Sequence, residues 1–395
     1  MKGVKAVAAL LAAMLLSGCR GFPLISLQDR AIVQGVGVDW ADGEYVVTMQ
    51  VFSPEGSGGQ TIVDPANENA KIITCRGATV AQAVAESARN QAKEFYLGHN
   101  RIVILGGGTW ERPMEETLSY FGNSPDSRLD VTLLTTPGKA ADLLDVGISQ
   151  AILPAMSIEN MVRNAQRSGL SVEILLVDAV QALTKPYRSA VIPVIRPVEK
   201  ENSEERDMKA VELSGIAVFS PNREVGILEG GAVRGFLFLR NAVERMACPV
   251  ETRDFRRATV ELSHSRTRIV PEFSENRLRF RVKIAAEGML VEHFLQENGS
   301  LSVRALEFLE QAVERRVEAD CREAWKKSGI EARSDVFSLG DRVRNRRPDL
   351  WQSLEGCWRQ QLAGIEFVYD VHVDISRTGM QALTTENGKN GCVFR

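Results

Sequence analysis

The chain has 395 residues, 44% hydrophobic and 25% charged, which excludes disordered and fibrous classes and leaves room for two or three domains. Its 48 basic and 51 acidic side chains give a formal charge of −3, which argues against a nucleic-acid binder with a broad basic face. The six cysteines (19, 75, 248, 321, 357 and 392) are too few for a disulfide scaffold and include no C-x-x-C pair, and the four histidines (99, 264, 293 and 372) show no zinc-ligand spacing.

The strongest local signal is N-terminal. Lys2 and Lys5 precede an eleven-residue apolar run, Ala6 to Leu16, and then Leu16-Ser17-Gly18-Cys19. The run fits a signal-peptide core and is short for a membrane span. Small residues ahead of Cys19 match a bacterial lipobox, in which the cysteine thiol receives diacylglycerol and becomes the new N-terminus. An ordinary secretory signal with an incidental cysteine is the plainer alternative. Lipidated, residues 19–395 form a body tethered to the membrane surface rather than inserted in it.

Residues 20–28 read as a tether. Ala31–Trp40 and Glu44–Phe52 flank Asp42-Gly43, a hairpin signal. Residues 53–69 look like a loop, and 77–97 like one helix with Val80, Val84, Ala88, Ala92 and Phe95 on a single face. Strands are expected at 101–105, 129–136 and 191–194, with helices at 110–121, after Pro137-Gly138, at 156–168 and at 171–184. The polar run Glu199–Lys209 marks a boundary. Beyond it come a strand at 213–219, a short helix and strand within 228–243, and an alternating strand around 278–284. A helix over 302–328 carries the stripe Leu306, Leu309, Val313, Val317, Cys321 and Trp325 and is closed by Gly329; a last alternating strand covers 365–375. The expected architecture is multi-domain α+β, with mixed or antiparallel sheets flanked by helices. Its units are a signal peptide (1–18), an N-terminal α+β domain (19–200), a small middle domain (201–254), a C-terminal α+β domain (255–380) and a flexible tail (381–395).

Three blocks, in order, resemble the Ger(x)C family of spore-germination lipoproteins. The first is the lipobox followed by Asp29-Arg30-Ala31-Ile32-Val33-Gln34-Gly35-Val36-Gly37-Val38-Asp39 and Tyr45–Gln50. The second is Gly98-His99-Asn100-Arg101-Ile102-Val103-Ile104-Leu105 with Arg128–Val131. The third is Asp335-Val336-Phe337-Ser338-Leu339-Gly340, Pro348-Asp349-Leu350-Trp351, Trp358 and the strand running to Gly379. Family members often carry Cys-Trp-Asp after the lipobox, where this chain has Cys19-Arg20-Gly21-Phe22, and Leu27 stands where a small polar residue is common. The resemblance implies a non-enzymatic C subunit of a nutrient germinant receptor, with lipid on Cys19, at the outer face of the spore inner membrane or cell membrane. It also implies assembly with integral-membrane A and B subunits, and no cofactor or metal. Small-molecule germinant binding stays open.

The third block has its own physical reading. Asp335 or Ser338 suits a helix cap, Pro348 a first helical turn, and Trp351, Leu354, Trp358 and Leu362 one apolar face, favouring core packing over a ligand box. Gly35-x-Gly37 lacks the third glycine and the following helix of a dinucleotide loop. Gly106-Gly107-Gly108 reads as a flexible turn rather than an anion cradle, and no Gly-x-Ser-x-Gly elbow occurs. His264, between Ser263 and Ser265, reads as an ordinary strand residue, and His99 as a turn hydrogen-bonder. Arg342, Arg344, Arg346 and Arg347 form a basic cluster, either a solvated face or a contact for anionic headgroups or an acidic loop. Cys75, Cys248, Cys321 and Cys357 read as small buried hydrophobes. Two rival functions remain: an extracytoplasmic solute-binding lipoprotein, whose twin α/β lobes the pattern does not show, and a lipid-anchored hydrolase, whose nucleophile–base set is not assembled.

Overall fold

The computed structural model of the chain describes residues 29–52, 70–89, 91–145, 153–198, 210–220, 223–274, 277–297 and 301–377. Cys19, the signal peptide, the tether, the 53–69 loop, the 199–209 boundary and the tail from 381 lie outside them. Two sheets carry the fold. The first is mixed and nine-stranded: β1 (Arg30–Ala41), β2 (Glu44–Phe52), β3 (Ala70–Gly77), β4 (Glu94–Tyr96), β5 (Ile102–Leu105), β6 (Thr132–Thr135), β7 (Ala190–Val198), β8 (Ala210–Ser220) and β9 (Arg223–Leu228). Its order is β3-β2-β1-β5-β6-β7-β8-β9, with β4 paired to the start of β1. The central β1-β5-β6-β7 run is parallel and both ends are antiparallel. The second sheet, β10 (Arg245–Val250), β11 (Phe255–Ser274), β12 (Arg277–Leu295) and β13 (Glu366–Arg377), is four-stranded, and β12–β13 is its parallel pair.

Parallel strands need cover on both faces, and the helices supply it. Val103, Leu105 and Leu133 face α1 (Val80–Glu86), α2 (Met114–Asn123) and α5 (Leu176–Leu183). Ile102, Ile104 and Leu134 face α3 (Ala140–Leu144) and α4 (Pro154–Arg167). Buried Gln50 ties that second layer: its amide donates to the Leu144 carbonyl at 2.7 Å and accepts from the Ala155 amide at 3.1 Å. Asp42 and Gly43 both take positive φ, as the tight β1–β2 turn requires.

In the second unit, α6 (Gly231–Leu239) crosses α7 (Val303–Trp325) closely: a Cβ on Gly235 would collide with the Asp320 carbonyl. Arg234 clamps the Asp320 carboxylate at 2.7 and 3.0 Å beside this crossing. Every residue of the expected α7 stripe is buried, and Ser302 caps the helix through the Ala305 amide at 3.2 Å. Trp325 then stacks on Phe367 with ring centroids 4.3 Å apart, locking α7 onto β13.

Several expectations change. The single helix over 77–97 is cut short at Glu86, followed by a 3-10 turn to Arg89; Glu94–Tyr96 instead pair with Arg30–Ile32, and Arg30 sits 4.5 Å over the Tyr96 ring. Backbone pairing outweighs the apolar spacing there. α7 ends at Trp325, and Gly329 lies within a π-helical turn, Lys326–Glu331, where it makes room for the Trp325 ring. The strand expected within 228–243 lies at 245–250, and β9 was not foreshadowed. The stretch 201–254 builds no sheet of its own among the described residues: β8 and β9 extend the first sheet and β10 opens the second. The reason is burial, since Ile216, Val218 and Leu228 share one continuous core with the second sheet, α6 and α7.

The glycine triplet after β5 is a packing constraint rather than a flexible turn. The Asp39 carboxylate accepts from the Ala140 amide at 2.9 Å and the Ala141 amide at 3.2 Å, capping α3, and it lies against Gly106 so closely that a Cβ there would overlap it. Burial pushes the Asp39 carboxyl above its usual range, against the two amides that favour the charged form. Gly106→Ala should therefore cost about 1–3 kcal/mol of stability. Gly122→Ala, in open space on α2, should instead add about 0.5–1 kcal/mol. Urea midpoints of the two variants check the pair.

Candidate functional site

Cys19 lies outside the described residues, so the site is sought where the chemistry-bearing residues of the body converge. They converge at the junction of the two sheets. Asp335 is 1% exposed, and its carboxylate accepts the Leu339 and Gly340 amides at 2.8 Å each and the Trp358 indole N–H at 3.0 Å. The expected cap at Asp335 is thus real. It starts α8 (Leu339–Arg346) and ties it to α10 (Trp358–Leu362), with α9 (Pro348–Leu354) between them and Pro348 at its first turn. Burial raises the Asp335 carboxyl even though all three donors favour its anion. Trp351 and Trp358 meet edge to face at 5.2 Å, and Trp351 also meets Tyr187 at 4.7 Å. Trp351, Trp358 and Leu362 are buried and Leu354 half-buried, so the apolar face is core.

Six residues past Asp335, in the first turn of α8, Asp341 reaches the segment between α5 and β7. It accepts from Lys185 Nζ at 2.7 Å, the Tyr187 hydroxyl at 3.0 Å and Arg188 Nε at 2.6 Å. Arg359 grips the same segment from the other side, donating to the Pro186 carbonyl at 3.0 Å, the Arg188 carbonyl at 2.8 Å and Ser220 Oγ at 2.9 Å. Burial alone would raise the Asp341 carboxyl; the donors from Lys185, Arg188 and Tyr187 outweigh it and hold the group below 3.8. A groove of about 760 Å³ is lined by residues of β11, β12 and α9 among others, with Phe273, Leu278, Leu350 and Leu354 among its apolar lining and Arg277 and Arg347 among its basic residues.

The residues singled out in the sequence do not assemble a catalytic set. Ser263 Oγ and Glu287 Oε2 both approach the same His264 nitrogen, Nδ1, at 3.2 and 3.3 Å, whereas a relay needs a different partner on each ring nitrogen. His99 meets the edge of Tyr96, His293 the edge of Phe255, and His372 lies 3.6 Å from Glu314. Among the described residues no group of three or more His, Cys, Asp or Glu side chains is placed to hold a metal. Cys75, Cys248 and Cys321 are free and buried, and Cys357 is free and half-buried. Burial pushes the Cys248 thiol up to about 11, the direction of an unreactive group. The arginine cluster divides: Arg342 donates to the Ile269 carbonyl at 3.3 Å, while Arg347 pairs with Asp349 at 2.6 Å and lies 5.5 Å over Phe273. No local motif announced Lys185, Arg188 or Arg359, since their partners lie more than 130 residues away in the chain.

Residues 25–197 match the family described as the spore germination protein N-terminal domain, and residues 214–379 match the spore germination B3/GerAC-like C-terminal family. The chain belongs to the Ger(x)C spore-germination family. The two matches meet across the polar run between β7 and β8. The chain is similar to spore germination protein B3 of Bacillus subtilis (strain 168), 22% identical over 93% of this chain and 96% of that protein. It is likewise similar to spore germination protein KC of the same organism, 22% identical over 96% and 97%. The crystal structure of the GerBC protein superposes with a TM-score of 0.55 at 20% identity, covering 87% of this chain and 97% of that one, and thereby shares its fold. The blocks that carry the Ger(x)C resemblance are architectural in this chain. Asp39 caps α3, Arg101 pairs with Glu159 at 2.9 Å, and Asp335, Trp351 and Trp358 build the junction.

Asp341→Asn should lower stability at neutral pH by about 1–3 kcal/mol, the scale of hydrogen bonds to a charged group. A carboxyl depressed in the folded state contributes stability that is complete above its unfolded value near 3.8 and is lost as pH falls through the folded value. The gap between wild type and variant should therefore close below that range. Denaturant titrations at pH 7 and at successive steps below pH 3.8 check both statements.

Proposed function

We propose that this chain is the lipid-anchored, non-enzymatic C subunit of a nutrient germinant receptor. Cys19 carries diacylglycerol, and the two-sheet body sits at the outer face of the spore inner membrane or cell membrane. There it assembles with integral-membrane A and B subunits, and the assembly is required for nutrient-triggered germination. The observation that carries this reading is the ordered match of both germination families to 25–197 and 214–379, directly behind a lipobox. The body supports it in two ways. None of the helices among the described residues is long and apolar enough to cross a membrane, and a lipid on Cys19 would give such a body its tether. The clasped aspartates and capped helices are structural, which suits a protein that works through its surface. The sheets also differ in size and topology, unlike the twin lobes of a transporter's solute-binding protein.

Palmitate labelling, membrane fractionation and spore germination test the proposal on wild type and Cys19→Ala. The variant is expected to lose label, to leave the membrane fraction and to germinate poorly in response to nutrients. An unlabelled wild type overturns the lipid anchor. A soluble, unlabelled variant that germinates normally removes anchoring from the mechanism. Co-purification of the A and B subunits with the wild-type chain from detergent extracts tests assembly.

A further inference from the structure

Among the described residues β13 pairs with β12 on one side only, and its other side is an edge of the second sheet. An edge strand presents unpaired amides and carbonyls to any other strand that can reach them. Two of these donors are already taken. The Val373 amide donates to Glu314 Oε1 at 3.0 Å and the Ile375 amide to Glu310 Oε1 at 2.9 Å, both from α7.

The spacing explains how one helix serves both donors. Four helical residues rise about 6.0 Å, and two strand residues advance about 6.6 Å, so α7 and β13 run antiparallel in matching steps. The same step continues along the edge: Arg322, two turns beyond Glu314, lies 4.8 Å over the ring of Tyr369, four residues before Val373. Between them Glu318 is bound by Arg322 at 2.6 Å, so the accepting part of the ladder is Glu310 and Glu314. Neither glutamate belongs to the buried stripe that packs α7. The opposite edge strand, β10, carries Pro249, which has no amide hydrogen to offer.

We propose that Glu310 and Glu314 seal the β13 edge against strand pairing with a second copy of this chain. The seal acts through acceptor oxygens aimed at backbone amides. A glutamine, which keeps such an oxygen, preserves it, and an alanine removes it.

Sedimentation of the full chain in detergent over a range of concentrations, with amide exchange at Val373 and Ile375, tests the proposal. Glu310→Ala/Glu314→Ala is expected to self-associate at about tenfold lower concentration than wild type, with exchange at the two amides faster by about tenfold or more in its monomeric fraction. Glu310→Gln/Glu314→Gln is expected to behave as wild type. A double alanine variant with a native circular dichroism spectrum and wild-type sedimentation overturns the proposal, as does unchanged exchange at Val373 and Ile375. If the double variant does not fold, Glu310→Ala alone, read at Ile375 and by sedimentation, decides on the same terms.

Discussion

The junction between the two sheets depends on a carboxylate that water does not reach. A carboxylate removed from solvent is expensive unless hydrogen-bond donors face it, and losing one donor leaves part of that cost uncompensated. Asp335 meets the condition with two amides at the start of α8 and one indole from α10. The arrangement fixes more than a helix end. It fixes the direction in which α8 leaves, and therefore where Asp341 points in the first turn of that helix. Asp341 is then placed to hold Lys185, Tyr187 and Arg188. The clasp between the sheets inherits its geometry from a cap inside one of them.

Buried aspartates recur as joints throughout the molecule. Asp39 caps α3 from the end of β1, and Asp320 ties α7 to α6 through Arg234 while Arg316, one turn earlier on α7, also donates to it. A short carboxylate surrenders little rotamer freedom when fixed and brings its charge close to the backbone it serves. Glycine is the complementary device. At Gly106 it admits the Asp39 carboxylate, and at Gly235 it admits the α7 backbone beside Asp320. Charge and close approach therefore occur as pairs, and each pair sits where two layers join.

What could be read from the sequence was whatever is encoded locally. Asp42-Gly43 specified a hairpin, the spacing from Leu306 to Trp325 a one-sided helix, and Asp335 and Pro348 their helix starts; each rests on residues within a few positions of its partner. The lipobox at Cys19 is equally local, and it lies outside the described residues. Features that depend on distant pairing were hidden. Glu94–Tyr96 carry helical spacing but bond to Arg30–Ile32, some 64 residues earlier. β9 is too short and mixed to declare itself without β8 beside it. The clasp joins residues 139 or more apart, so neither half of it looks unusual alone. The middle unit has the same explanation. The polar run from Glu199 does separate the two family matches, but the segment beyond it is divided between both sheets, and that division rests on pairing with distant strands.

The sharing of that segment bears on how a tethered subunit would work. Asp29 lies ten residue steps after Cys19, and a fully extended chain of that length reaches about 33–36 Å, so lipid on Cys19 would hold the start of β1 within roughly one bilayer thickness of the surface. The apolar core that begins on β8 and β9 continues without interruption through α6 and α7 into the second sheet, and the Asp341 and Arg359 contacts close the same junction from its polar side. A hinge needs an interface that can part cheaply, and this one is both apolar and charge-clasped. A partner that engaged the second sheet would therefore act on a body already fixed in relation to its membrane-proximal strand, with the junction transmitting the contact rather than absorbing it.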